Sequence, residues 1–256
     1  TTQGFDKPHY TNVQMPFPHD PPTVQEYNPT GCYRTTVDIP KAWRNRRTVI
    51  HFGGAESVLQ VYVNGHPVGM SKDSRLPAEF DITDFVTPGK TATIAAVVIR
   101  WSDASFIEDQ DHWWMAGIYR DVYLYSTGQI YIEDVFARGD LEDDFKTGQL
   151  DITAKMGISA QPESGWSFSA QLYDAKGKAT FKNALTSEVT VSNNGHTWPR
   201  FEVHFKHKIN RPHLWSSESP HLYRLVVTLH NPKGKAVEHT TCRIGFRRVE
   251  VKNREL

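Results

Sequence analysis

Between Arg100 and Val122 the chain reads RWSDASFIEDQDHWWMAGIYRDV, which sets four carboxylates, Asp103, Glu108, Asp109 and Asp111, beside two adjacent tryptophans, Trp113 and Trp114. Crowded carboxylates repel and shift in pKa unless a hard cation or a set of hydroxyl donors holds them. Indole faces beside acceptor oxygens suit a polyol ring, whose C–H faces stack while its hydroxyls donate hydrogen bonds. A solvated acidic loop anchored to the core by one tryptophan accounts for the same residues, with Arg100 and Arg120 available to pair with the acids. Hydrolysis of a glycosidic bond with retention requires two carboxylates about 5–5.5 Å apart. Glu108 and Asp111 lie on one loop and are poorly preorganised for that task, because rigid pairs are normally presented from separate elements.

The elements that position this loop read as strands. CYRTTVDI, RTVIHF, VLQVYVNGHPVG, TATIAAVVIRW and DVYLYS alternate apolar and polar residues, are rich in β-branched and aromatic side chains, and end at Gly, Pro or Asn. The acids fall between a strand ending near Trp101 and another beginning near Asp121, on a long connection of the kind that displays binding groups. Asn64-Gly65 signals a two-residue hairpin, since a type I′ turn needs positive φ at both central positions. Such a run of short strands predicts a sandwich or jelly roll. The texture changes after about Thr127: ARGDLEDDFKTGQ reads as a polar, acidic connection, and about seven further strands follow. Asp174-Ala175-Lys176-Gly177 and Asn231-Pro232-Lys233-Gly234 read as hairpin tips. This second half suits an immunoglobulin-like sandwich, in architecture only, because the Cys, Trp, Cys spacing of antibody domains is missing.

Composition excludes several classes. Lys plus Arg and Asp plus Glu number 29 each in 256 residues, so no overall field attracts nucleic acid or an anionic membrane, and neither is expected as a partner. No apolar run approaches the length of about 20 residues that spans a bilayer, and Thr1 onwards resembles neither a signal nor a transit peptide. The expected protein is soluble; its compartment is open, leaning cytoplasmic. Cys32 and Cys242 sit in strand-like runs, where free buried thiols are expected, and neither has zinc-site or CxxC spacing. His204, Lys206 and Lys208 alternate with Val203, Phe205 and Ile209 as a solvated polar strand face, an alternation that His207 breaks, with no histidine pairing that suits a metal or a base.

Longer motifs add a resemblance. KPHYTNVQMPF, YNPTGCYRTTVDIP, VNGHPVGMSKDSRLPAEFDITDFV, the acidic stretch itself, and HLWSSESPHLYRLVVTL with IGFRRVEV closely resemble the large bacterial β-galactosidases of glycoside hydrolase family 2. The likeness covers essentially the whole chain. It implies an all-β protein: a jelly-roll, galactose-binding-like β-sandwich over residues 1–127 with early strands missing ahead of Thr1, then an immunoglobulin-like β-sandwich over 128–248. Residues 249–256 would start the linker to an absent (β/α)8 barrel, where a glutamate acid/base and a glutamate nucleophile perform retaining hydrolysis. The chain is therefore expected to hold no catalytic carboxylate and to be inactive alone.

The resemblance carries site residues over individually. Asn12 matches an asparagine that hydrogen-bonds the galactosyl ring, and Asp111 matches an aspartate that contacts galactose hydroxyls and ligates an active-site sodium. Asp103 matches a ligand of a peripheral magnesium site, but Lys72 stands where relatives place a glutamine ligand, and its ammonium repels a cation. Glu108 and Asp109 are expected to brace the loop through Arg100, Arg120 or backbone amides. Trp114 stands where some relatives carry Arg, and Trp215 and Tyr223 are expected as core anchors. The implied partners are a β-galactoside, the protein's own downstream barrel and further copies of the intact enzyme, with sodium and magnesium as its cofactors. A reading from a different class is a stand-alone carbohydrate-binding or adhesion module using the surface of Trp113 and Trp114.

Overall fold

The alternating runs form strands because each can bury one face. The computed structural model describes residues 7, 9–11, 17–108, 111–192 and 199–251. The chain divides into two compact units, Thr1–Thr127 and Gly128–Leu256.

In the first unit the strands are β1 (His9–Thr11), β2 (Thr30–Asp38), β3 (Arg47–Phe52), β4 (Ala55–Glu56), β5 (Val58–Val63) and β6 (His66–Ser71). They continue with β7 (Ala78–Asp81), β8 (Thr91–Ile99), β9 (His112–Trp114), β10 (Gly117–Ile118) and β11 (Val122–Thr127); one short helix, α1 (Ala104–Ile107), precedes β9. A four-stranded sheet, β2-β8-β5-β6, packs with a three-stranded sheet, β11-β3-β7. The core is the inward half of each alternation: Leu59, Val61 and Val63 of β5 lie opposite Val98, Ala96 and Ile94 of β8, and Ile50 and Phe52 of β3 join the same cluster. The β5–β6 hairpin turns at Asn64 and Gly65, with φ of 51° and 85°. The Asn64 side chain secures that turn by donating to the Phe85 carbonyl and accepting the Thr93 N–H, both at 2.8 Å.

The loop that carries the acids leaves β8 in one sheet and rejoins the other at β11. Two short antiparallel pairs, β1 with β9 and β4 with β10, hold it. A separate apolar cluster of Phe17, Trp101 and Trp114 lies beneath it.

The second unit contains β12 (Ile130–Leu141), β13 (Thr147–Ile158), β14 (Ser167–Tyr173), β15 (Leu185–Glu188), β16 (Thr190–Ser192), β17 (Arg200–Asn210), β18 (Tyr223–His230) and β19 (Ala236–Ile244). They form two four-stranded antiparallel sheets, β12-β13-β17-β16 and β15-β14-β18-β19, around one core that includes Leu150, Ile152, Phe168, Leu172, Phe205, Leu225 and Leu229. Residues 137–149, expected as a connection, are instead the end of β12, a tight turn and the start of β13. Their polar side chains line outward positions of a long hairpin whose inward residues fill the core.

Asp144 closes that turn. One carboxylate oxygen accepts the Lys146 and Thr147 N–H groups at 2.8 Å, and the other accepts the Thr147 hydroxyl at 2.7 Å. These donors, the Thr147 N–H foremost, hold its pKa down to about 2 from an ordinary 3.8. A carboxylate whose folded pKa is depressed stabilises the fold above its unfolded pKa and loses that effect as pH falls through the folded one. The melting-temperature gap between the native chain and Asp144→Asn is therefore expected to shrink as pH falls from about 4 to about 2; a gap constant over that window contradicts the assignment.

The cysteines depart from expectation. Cys32 is exposed because β2 is an edge strand whose outer face is uncovered, and Cys242 is half-buried, with burial raising its thiol pKa. Tyr223 is a core residue whose phenolic oxygen accepts the His213 N–H at 2.9 Å, whereas Trp215 is half-buried under the Arg247 guanidinium. His204, Lys206 and Lys208 face outward, as alternation dictates. Among the described residues no helix is long and apolar enough to cross a membrane.

Candidate functional site

The acidic loop is built from its ends inward. Asn28 fixes its start by accepting the Trp101 N–H at 2.9 Å and donating to the Trp101 carbonyl at 2.8 Å. The Trp101 ring packs against Trp114 with centroids 5.2 Å apart and meets the edge of Phe17 at 5.5 Å. Successive strand residues point to opposite sides, so β9 sends Trp114 into this cluster, 0% exposed, and leaves Trp113 outside, 57% exposed. Stacking of Trp114 on a sugar is thereby corrected: its indole is core, and only Trp113 is on the surface.

Asp111, just ahead of β9, is exposed. The pairing of β1 with β9 places Tyr10 opposite Trp113, with ring centroids 5.5 Å apart, and the Tyr10 phenol donates to Asp111 Oδ1. That bond and the neighbouring negative charge raise the phenol's pKa. Carboxylate, phenol and indole therefore form one accessible group, an acceptor beside aromatic surface. Asn12 and Asp109 lie outside the described residues.

Beneath this group is a network that the sequence did not disclose. Glu56, whose side chain is 1% exposed, receives Arg75 Nη2 at 3.0 Å on one oxygen and the Met115 and Ala116 N–H groups at 2.8 Å on the other. Ala116 has a φ of 59°, a left-handed conformation that costs a non-glycine residue about 1–2 kcal/mol. The same Arg75 nitrogen lies 3.0 Å from His112 Nε2, and the guanidinium carbon sits 5.6 Å from the Trp114 ring. His112 Nδ1 lies 3.1 Å from the Trp113 carbonyl, so these partners assign the tautomer with hydrogen on Nδ1, leaving Nε2 to accept from Arg75. Its position between two strand-like runs carries no advance signal, although a glutamate is almost never fully buried unless paired.

The motif Asp73-Ser74-Arg75-Leu76-Pro77 supplies most of this scaffold. Asp73 Oδ1 accepts the Arg75 and Leu76 N–H groups, shaping the turn that aims Arg75 inward. Ser74 donates its N–H at 2.7 Å and its hydroxyl at 2.6 Å to Glu108, and its carbonyl accepts the Tyr119 phenol. Glu108 thus braces the loop through a backbone amide and a hydroxyl. Among the described residues Arg100 donates to the Lys7 carbonyl, and Arg120 to those of Gly53 and Arg75.

Asp103 is committed elsewhere. Both its oxygens receive the Lys72 ammonium, at 2.7 and 2.9 Å, and this hydrogen-bonded cation holds its pKa below the ordinary range. An ammonium in that position does not fit a magnesium ligand, because it fills the carboxylate's charge and repels a second cation. The exposed Asp111 carboxylate does fit one hard-oxygen ligand of a sodium ion. Among the described residues, no group of three or more His, Cys, Asp or Glu is placed to hold a metal ion by itself.

Comparison with known proteins sets these features in context. Residues 1–128 match the family model described as glycosyl hydrolases family 2, sugar binding domain, and residues 130–247 match that of glycosyl hydrolases family 2. The chain is 40% identical over 257 residues to a β-galactosidase of Priestia megaterium, covering 98% of this chain and 24% of the relative. It is 41% identical over 254 residues to a β-galactosidase of Photobacterium profundum, covering 99% and 24%. Its fold is similar to the crystal structure of a Bacteroides uniformis β-glucuronidase, with a TM-score of 0.72 and 21% identity over 86% of this chain and 26% of that one. The chain thus spans about a quarter of the length of the curated relatives it matches.

Proposed function

The chain belongs to glycosyl hydrolase family 2, and on that premise we propose that it is the non-catalytic leading portion of a retaining β-galactosidase acting on terminal β-D-galactosides such as lactose. The glutamate acid/base and nucleophile would lie in the three quarters of the relatives' length that this chain does not span. The observation that carries the proposal is the placement of Asp111: an exposed carboxylate, fixed by the Tyr10 phenol, on a loop braced from below by Glu56 and Glu108. The identity to β-galactosidases along nearly the whole chain supports the choice of sugar.

In this reading Asp111 accepts hydrogen bonds from galactose hydroxyls and so orients the ring between the two downstream carboxylates. Asn12, whose amide both donates and accepts, adds a second hydrogen-bonding group. Asp111, together with ligands from the remaining chain, would hold a sodium ion, which when bound would supply a positive charge to the site. The pre-set geometry of Asp111 matters because an orienting group must keep its position to lower a barrier.

The test uses the intact protein that contains this chain. It is expected to hydrolyse β-galactosides with retention at the anomeric carbon, followed by NMR, while the 256-residue chain shows no turnover. Preference for β-glucuronides, or inversion at the anomeric carbon, would sink the proposal. The exposed Tyr10 and Trp113 rings give some support to the other class, a stand-alone carbohydrate-binding module. That reading prevails if the 256-residue chain binds lactose tightly and the intact protein hydrolyses no glycoside.

A further inference from the structure

Several cations on the second unit have an acid in reach: Lys155 lies 3.1 Å from Asp134, Lys208 2.9 Å from Glu142, and Arg248 2.7 Å from Asp143. Arg224 and Arg243 do not. They are exposed, lie directly opposite one another in the β18–β19 ladder, and have no hydrogen bond or ion pair from their side chains among the described residues. Like charges in that position repel and destabilise a sheet. Arg224 is held in place by stacking over Tyr173, its β14 neighbour in the register, at 5.6 Å.

Arg224 and Arg243 line an open concavity of about 660 Å³ together with the turn carrying Lys176 and with His221. Its one carboxylate, Asp174, is already engaged: Oδ1 accepts the Lys178 N–H at 2.8 Å and the Lys176 N–H at 2.9 Å, and these bonds, Lys178 first, hold its pKa low. His221 Nε2 is buried without a hydrogen-bond partner. The lining therefore carries a surplus of two positive charges. Two arginines and a lysine lining one hollow supply the charge and the donors that a phosphate dianion requires.

We propose that this concavity is a phosphate-binding site, for inorganic phosphate or the phosphate group of a small ester. It lies wholly within the second unit and stands or falls independently of the galactoside reading.

The experiment titrates the 256-residue chain with inorganic phosphate, then with glycerol 3-phosphate, each against sodium chloride at matched ionic strength. Arg224 and Arg243 Nε–H resonances and the His221 ring are expected to shift with saturation under phosphate and not under chloride. Arg224→Gln and Arg243→Gln are each expected to weaken binding about ten- to a hundredfold, the range for losing one charge-assisted hydrogen bond. Tighter binding of glycerol 3-phosphate identifies an ester site; equal binding identifies a site for the phosphate group alone. A second readout covers variants that fold poorly: Lys176→Gln, on an exposed turn, is expected to reduce the phosphate-induced rise in melting temperature. Shifts that follow ionic strength alone, or phosphate affinity unchanged in all three variants, overturn the proposal.

Discussion

Asp111→Asn is expected to lower kcat/KM of the intact enzyme for β-galactosides by about 10- to 100-fold, the factor corresponding to loss of a hydrogen bond to a charged group. The substitution preserves size and leaves an amide oxygen that can still accept the Tyr10 phenol. The loop should keep its shape, and melting temperature is expected to be unchanged. What is lost is the full negative charge, which strengthens hydrogen bonds from sugar hydroxyls and attracts sodium. Activation by sodium should flatten in parallel. Steady-state kinetics over a sodium series measures both effects, and wild-type values throughout would remove Asp111 from the substrate site.

Glu56→Ala is expected to destabilise the first unit by about 3–5 kcal/mol, the range for removing one partner from a buried ion pair. Three donors lose their acceptor together: Arg75 and the amides of Met115 and Ala116. Glu56→Gln should also be poorly tolerated, because its NH2 group must face either Arg75 or the two amides, donor against donor. Denaturant unfolding reads the global effect, and amide hydrogen exchange at Met115 and Ala116 reads the local one. Both amides should exchange faster in either variant. Because Ala116 holds a positive φ that these bonds stabilise, the strand carrying Trp113 and following Asp111 is expected to loosen as well. Native exchange rates at both amides, with an unshifted unfolding midpoint, would show that Glu56 does not clamp the loop.

These two residues differ in how far the sequence announced them. Asp111 stood in a long motif whose resemblance assigned it a role, and the structure places it on the surface beside Tyr10. Glu56 carried no motif, because its importance arises from Arg75 and from two amides about sixty positions later. Asp103 shows the opposite case. The resemblance offered it as a magnesium ligand, while the lysine at position 72, noted already as a departure, turns out to occupy both carboxylate oxygens.

By itself the sequence determined the local grammar. Period-two alternation set which side chains of β5, β8, β13 and β18 could face a core, because successive strand residues point to opposite sides. Asn64-Gly65 and the two later turn motifs set where chains reverse, because few residues adopt positive φ at low cost. Tertiary structure decided what alternation leaves free, namely which of two opposite faces is covered. Trp113 and Trp114 are equivalent as neighbours in sequence, and only the packing of Trp101 and Phe17 beneath β9 makes one core and the other surface. Edge position likewise exposed Cys32, and Asp73-Ser74-Arg75 became a brace only because the loop folds back over it. Such outcomes depend on contacts between residues distant in sequence, whose energies are set by burial and by hydrogen-bond geometry that no local pattern encodes.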